Sequence, residues 1–227
     1  MIPYSRQSIS SKDIANIIKV LKSDFLTQGP KVSLFEKKIS KLVKVKFAVA
    51  CNSATSALHL ACLSLNLKPK DIVWTVPNTF VATVNCAINC GAVIDFVDID
   101  SKTWNISIER LTKKLEEAKR KKKLPKILIP VHFAGQPTEQ EKISILAKKY
   151  NFKIIEDASH SIGAKHHGEP VGSCKWSDIT VFSFHPVKII TTGEGGVALT
   201  NNKFLAEKMK LFRSNGLNKE IKDNKNR

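Results

Sequence analysis

Short apolar runs alternate along the chain with segments whose apolar residues recur at helical spacing. Seven runs of four to six residues, bounded by turn residues, are predicted to be buried strands, at 47–51, 72–75, 93–97, 127–131, 153–156, 179–184 and 196–200. Amphipathic segments lie between and after them, at 56–65, 80–89, 107–122, 139–150 and 203–213. This alternation predicts an α/β fold in which a mostly parallel seven-stranded sheet carries helices on both faces.

The pattern also predicts the domain organisation. Two further helices, at 13–23 and 33–43, precede the first strand, so that residues 1–45 form a helical segment. No internal repeat or low-complexity linker interrupts residues 1–216, which are predicted to be one domain. Residues 217–227 are almost entirely polar and are expected to be the start of a further, smaller domain that is disordered by itself.

Composition changes the picture mainly through charge. The formal net charge of +17 is a property shared with nucleic-acid-binding proteins, but the lysines are scattered. Their densest cluster, at 119–123, is predicted to be a solvated helix end, where cations favour the helix dipole. The five cysteines form no CxxC pair, and no apolar run reaches membrane-spanning length. We therefore expect a cytoplasmic protein without nucleic-acid partner, metal site or membrane span.

Three segments carry candidate chemistry. The first, CNSATSAL at 51–58, turns a strand through small polar residues into a helix, which suits phosphate but is also an ordinary helix cap. The second, IIEDASH at 154–160, places acids at the carboxyl end of a strand, where ligands bind in parallel sheets. Its carboxylate could pair with a protonated ring nitrogen or merely cap a helix.

The third segment, FSFHPVKIITTGEGG at 182–196, places Lys188 just past a buried strand, between apolar residues and a glycine-rich turn. Desolvation lowers the pKa of an amine in such a setting and makes it a nucleophile towards carbonyl carbon. An ordinary surface lysine is the competing interpretation, and propensity by itself favours that interpretation.

Taken in order, the motifs resolve this ambiguity. The chain resembles, along nearly its whole length, the DegT/DnrJ/EryC1/StrS family of sugar aminotransferases, which are pyridoxal 5'-phosphate (PLP) enzymes of fold type I. The matching segments are residues 4–7, 23–30, 52–59, 77–83, 131–136, 156–160 and 182–196. Part of the family has histidine in place of the lysine and dehydrates sugars, whereas this chain keeps Lys188, so the resemblance implies transamination.

The resemblance also implies roles for individual residues. Lys188 would bind PLP as a Schiff base and act in catalysis. The other implied cofactor contacts are Asp157 at the pyridine nitrogen, Phe80 stacked on the ring, His160 beside it, and Ala54, Thr55 and Ser183 at the phosphate. The implied substrate contacts are Tyr4, Asp24, Phe25, Leu26 and Thr27.

The resemblance further implies a substrate and an assembly. Within the family, residues 52–57, 74–80 and 182–192 look most like the branch that transfers an amino group from L-glutamate to C4 of a UDP-linked 4-keto-6-deoxy-N-acetylhexosamine, on the route to pseudaminic acid. Family chains continue into a small C-terminal domain and form homodimers with the site at the interface. Two alternatives remain open at this stage: a non-catalytic PLP-binding remnant, and an aminotransferase for another nucleotide-linked keto-deoxysugar.

Overall fold

A computed structural model describes residues 2, 3 and 5–217 of the chain. Its strands are β1 Phe47–Cys51, β2 Ile72–Thr75, β3 Val93–Phe96, β4 Ile127–Leu128, β5 Lys153–Asp157, β6 Lys165–His166, β7 Glu169–Pro170, β8 Ile179–Ser183 and β9 Gly196–Thr200. Its helices are α1 Ser11–Leu21, α2 Pro30–Val43, α3 Ala54–Ser64, α4 Ala82–Ile88, α5 Ile108–Arg120, α6 Gln140–Tyr150 and α7 Lys203–Arg213, with a 3-10 turn at Phe133–Gly135. The residues 218–227 of the expected tail lie outside this description.

Seven of these strands form one sheet in the order β1-β9-β8-β5-β4-β2-β3. The five strands from β8 to β3 pair in parallel, whereas β9 runs antiparallel to both of its neighbours. The predicted mostly parallel seven-stranded sheet is therefore confirmed. A separate antiparallel hairpin, β6 with β7, was not predicted from the apolar pattern.

Successive residues of the central strands enter different cores, as the two faces of a sheet require. On one face, residues such as Ile155 of β5 pack with α3, α4 and α7. On the other face, the neighbouring Ile154 belongs to a second core with α5 and α6, and Phe182 of β8 belongs to a third core that includes residues of α2. Helices therefore cover both faces, as the sequence predicts.

The largest boundary difference concerns β4, which was predicted at 127–131 and ends at Leu128. Pro130 has no N–H to donate, so the ladder cannot continue through it. The carbonyl of Pro130 still accepts from the Asp157 N–H, and Val131 forms an isolated bridge with Asp157. Thus the chain stays beside β5 while it leaves the sheet towards the 3-10 turn.

The basic cluster at 119–123 lies where the sequence predicts it. Lys119 and Arg120 occupy the last turn of α5, Lys121 caps it, and all five residues are exposed. In the part of the chain that the structure describes, no helix combines the length and apolar character needed to span a membrane.

Gly196 makes a testable contribution to the fold, because it lets β9 approach the start of α3. A Cβ at this position would lie 2.3 Å from the Ser53 carbonyl carbon and 2.4 Å from the Ala54 nitrogen, both backbone atoms. We expect Gly196→Ala to lower the free energy of unfolding by about 3 kcal/mol, because the strand or the turn must shift. Gly163→Ala, at a positive φ but in open space, should cost about 1 kcal/mol. Urea denaturation of both variants checks this, and equal losses would contradict it.

Candidate active site

A cavity of about 710 Å³ opens at the carboxyl ends of the parallel strands. Its walls come from the segments that follow β1, β2, β4, β5 and β8, which brings residues distant in sequence to one place. Carboxyl ends of adjacent parallel strands are where open α/β sheets bind ligands. The predicted cofactor residues all line this cavity: Ala54, Thr55, Phe80, Asp157, His160, Ser183 and Lys188.

Asp157 ends β5 and is buried, with its carboxylate held from two sides. Its Oδ2 accepts a hydrogen bond of 2.7 Å from the Thr83 hydroxyl on α4, and its Oδ1 accepts one of 2.6 Å from the Ser159 hydroxyl. The hydroxyl oxygens of Thr79 and Thr83 are 2.8 Å apart. Because the Thr83 hydroxyl donates its proton to Asp157, the Thr79 hydroxyl must be the donor in this second hydrogen bond. These contacts fix the carboxylate in one orientation towards the cavity.

Lys188 lies in the loop after β8, and its Nζ is 2.5 Å from His160 Nε2. Burial lowers the pKa of the Lys188 amine below its ordinary value, while the charge of Asp157 acts in the opposite direction. Burial, followed by the charge of Lys188, also lowers the pKa of His160. Both shifts favour the uncharged forms of the amine and of the imidazole relative to solvated side chains.

The opposite part of the cavity offers donors for an anion. Ser53 caps α3 by accepting from the Ser56 N–H at 3.1 Å, and Ala54 and Thr55 are the first two residues of that helix. The first N–H groups of a helix have no helical acceptor and carry the positive end of its dipole. Together with the hydroxyls of Thr55 and Ser183, this end of α3 suits a phosphate group.

A second, buried carboxylate lies on the other side of β5. Glu156 accepts hydrogen bonds from Gln140 Nε2 and from Thr180 Oγ1, the latter at 2.7 Å, and its Oε1 is 3.9 Å from His132 Nε2. Burial by itself would raise the pKa of Glu156, but the facing His132 and these donors lower it. His132 and His185 also line the cavity.

The predicted substrate residues are not brought to this cavity. Asp24, Phe25, Leu26 and Thr27 form an exposed turn between α1 and α2, and none of them is among the residues that line the cavity. Tyr4 lies outside the described residues. Their assignment rests on the resemblance.

Several residues of the site were missed by sequence reasoning. They are Thr79 and Thr83, which orient Asp157, and Asn78, Phe133 and Glu194, which line the cavity. Thr83 lies in a segment that matches the family, but a threonine inside a helix gives no signal of its own. Its contact with Asp157 spans 74 residues of sequence and appears only in the folded chain.

These groups fit PLP by their chemistry. One cavity is lined by an amine with a lowered pKa, a fixed carboxylate that suits a ring nitrogen, and a helix N-terminus that suits a phosphate. The aromatic ring of Phe80 lines the same cavity. A PLP site requires a lysine and an acidic partner for the pyridine nitrogen. The fold and the site therefore define the class of PLP-dependent enzymes built on a large α/β domain.

The chain belongs to the DegT/DnrJ/EryC1/StrS aminotransferase family, whose pattern it matches over residues 7–227. It is 46% identical over 220 residues to a UDP-4-amino-4,6-dideoxy-N-acetyl-beta-L-altrosamine transaminase of Campylobacter jejuni, covering 97% of this chain and 57% of the relative. Helicobacter pylori PseC, an aminotransferase involved in the biosynthesis of pseudoaminic acid, superimposes with a TM-score of 0.86 at 35% identity over 96% of this chain and 57% of its own.

A third similar protein identifies the cofactor. The putative sugar aminotransferase Spr1654 of Streptococcus pneumoniae in its PMP form matches with a TM-score of 0.86 at 28% identity, over 96% of this chain and 58% of its own. The same protein is also known in a PLP form. The predicted cofactor, PLP, is thus confirmed. The chain spans just over half the length of the relatives that it matches.

The lowered pKa of Lys188 can be tested by competitive labelling with acetic anhydride, followed by peptide mass spectrometry over a range of pH. We expect Lys188 to react with a lower apparent pKa than the exposed lysines. In Asp157→Asn the apparent pKa of Lys188 should fall further, because the charge that favours the protonated amine is removed. Asp178→Asn removes a carboxylate at the amino end of β5 and should leave the profile unchanged. An upward shift in Asp157→Asn would contradict the assignment.

The role of Thr83 can be tested with Thr83→Val, which keeps the shape of the side chain and removes its hydroxyl. A hydrogen bond to a charged group contributes roughly 1.5–3 kcal/mol, so PLP affinity should fall by about tenfold or more. Thr112→Val removes a hydroxyl that bonds the Ile108 carbonyl within α5 and serves as the matched control. Equilibrium titration with PLP measures both, and an unchanged affinity in Thr83→Val would show that Asp157 needs no such support.

Proposed function

We propose that this chain is the cofactor-binding part, residues 1–216, of an aminotransferase that moves an amino group from L-glutamate to C4 of a UDP-linked 4-keto-6-deoxy-N-acetylhexosamine, the chemistry of pseudaminic acid precursors. The observation that carries the proposal is the placement of Lys188 and Asp157 at one cavity, in a chain 46% identical to a transaminase of this substrate class. The retained lysine favours transamination over dehydration.

Each side chain has a defined task in this proposal. PLP, when bound, supplies the carbonyl carbon that carries the amino group and a ring that accepts electrons. Asp157 holds the proton on the ring nitrogen, and Thr83 and Ser159 keep its carboxylate in place. Ala54, Thr55 and Ser183 bind the phosphate, Phe80 stacks on the ring, and His160 lies beside it.

Lys188 is the proposed acid and base. Its amine, whose pKa burial lowers, would relay a proton between the substrate carbon and the cofactor: from Cα of glutamate to the cofactor, and later from the cofactor to C4 of the sugar. His160, whose Nε2 is 2.5 Å from Nζ of Lys188, positions that amine, and burial lowers the pKa of its imidazole.

The proposal extends to substrate contacts and assembly. Tyr4, Asp24, Phe25, Leu26 and Thr27 are proposed to contact the nucleotide-sugar, and the full-length enzyme is proposed to be a homodimer. In support, the turn at 24–27 is exposed, and so is the apolar stripe of α1 formed by Ile14, Ile17, Ile18 and Leu21. Exposed apolar stripes of this kind mark contact surfaces.

The reaction is tested by incubating the PLP-loaded chain with glutamate and the UDP-linked 4-keto-sugar, with the Campylobacter relative as positive control. Amination would yield 2-oxoglutarate and the 4-amino sugar, and its rate should be at least about a thousandfold lower in Lys188→Ala. Lys203→Ala, at an exposed lysine paired with Glu207, should react as the wild type does.

Cofactor attachment is measured in parallel by borohydride reduction and peptide mapping. Label on Lys188 with no amino sugar formed would favour a non-catalytic PLP-binding remnant. Formation of an amino sugar from a different keto-deoxysugar would correct the substrate. Identical labelling of the same peptide in Lys188→Ala would refute the site.

A further inference from the structure

Two exposed aromatic rings stack on each other at the edge of the cavity. The ring centroids of Trp104 and Phe133 are 5.8 Å apart with an interplanar angle of 19°. Phe133 lines the cavity and is 36% exposed, whereas Trp104 stands outside the lining and is 55% exposed. A tryptophan that served the hydrophobic core would be buried, as Trp74 is.

Polar contacts hold Trp104 in place through its backbone. Its carbonyl accepts a hydrogen bond of 2.8 Å from Asn78 Nδ2, and its N–H donates to the Asp100 carbonyl at 2.8 Å. The Asp100 carboxylate in turn accepts from the N–H groups of Lys102 and Thr103, at 3.0 and 2.9 Å. The ring is therefore presented by a closed turn rather than by a loose loop.

Phe133 is fixed by the neighbour of Trp104. The buried Asn105 accepts from the Phe133 N–H at 2.9 Å and donates to the carbonyls of Gln136 and Pro137 at 3.1 and 3.2 Å. One asparagine thus ties the loop after β3 to the loop after β4.

Both loops contain a residue with an unfavourable backbone conformation. Trp104 has a φ of +60° and Ala134, beside Phe133, has a φ of +50°, a region that residues with a Cβ avoid. Backbone strain of this kind persists where surrounding contacts impose it, and it concentrates at ligand sites.

We propose that the Trp104–Phe133 pair is the stacking platform for the pyrimidine base of the substrate. The inference rests on the proposed function, because it requires a nucleotide-linked substrate. The reacting sugar carbon must reach Lys188 inside the cavity that Phe133 also lines, and we place the base, linked through the diphosphate, on the exposed side of Phe133. A planar base offers a π face that stacks on an exposed indole, and Trp104 is the ring beyond the lining.

Binding of uridine 5'-diphosphate, measured by calorimetry on the PLP-loaded chain, tests the platform. We expect Trp104→Ala to weaken binding by about tenfold or more, and Trp104→Phe, which keeps an aromatic face, to stay within about threefold of the wild type. Trp176→Phe is the matched control at another partly exposed tryptophan and should bind as the wild type does. Uridine 5'-diphosphate should also quench the tryptophan fluorescence of Trp176→Phe, because Trp104 remains.

Other outcomes overturn the inference. Equal affinity in Trp104→Ala, with or without a change in oligomeric state by light scattering, assigns the pair another role. Selective loss of N-acetylglucosamine 1-phosphate binding would place the sugar on the platform instead of the base. Circular dichroism verifies folding, and Trp104→Phe keeps the test decisive if the alanine variant unfolds.

The platform and the reaction fail separately. Binding of uridine 5'-diphosphate needs neither glutamate nor keto-sugar, so a Trp104-dependent affinity without amination would uphold the platform and refute the reaction. If the chain forms the amino sugar but binds uridine 5'-diphosphate with an affinity that is independent of Trp104, the reaction is upheld and the platform is refuted.

Discussion

The fixed orientation of the Asp157 carboxylate is the constraint on which the rest of the site depends. Asp157 is buried at the end of β5, and its two oxygens accept hydrogen bonds from hydroxyls on different elements, Thr83 on α4 and Ser159 in the following turn. A buried carboxylate is costly unless it is paired and hydrogen-bonded. Because those donors come from the protein, the carboxylate is ready to meet a protonated ring nitrogen without reorganisation.

Asp157, at the same strand end, also affects the pKa of the Lys188 amine. Burial lowers the pKa of Lys188 and the charge of Asp157 opposes that effect, so the position of the carboxylate affects how much neutral amine is present. The neighbouring Glu156 points into a different polar cluster with Gln140 and Thr180. Glu156 and Asp157 therefore have different roles, because successive residues of a strand face opposite sides of the sheet. Glu156 ties the sheet to α6, and Asp157 serves the cavity.

Much of the site was accessible from the sequence, for a physical reason. Strand ends, helix starts and a lysine between apolar residues leave local patterns, which marked the segments of Ala54, Asp157 and Lys188 as candidates. The family resemblance supplied the roles of Phe80, His160 and Ser183. Thr83, Asn78 and Trp104 were not found, because a threonine in a helix, an asparagine in a loop and an exposed tryptophan have ordinary local explanations. The turn at 24–27 was expected at the substrate and lies away from the cavity in the described residues.

By itself the sequence determined the α/β class, the seven sheet strands, the helices around them and the candidate lysine and carboxylate. These depend on apolar periodicity and on short motifs, which are local properties of the chain. Only the tertiary structure decided that β9 runs antiparallel and that Thr83 orients Asp157. It also decided that Trp104 stacks on Phe133 at the edge of the cavity. Strand direction and contacts between distant residues are set by how the elements pack, and no local pattern encodes that packing.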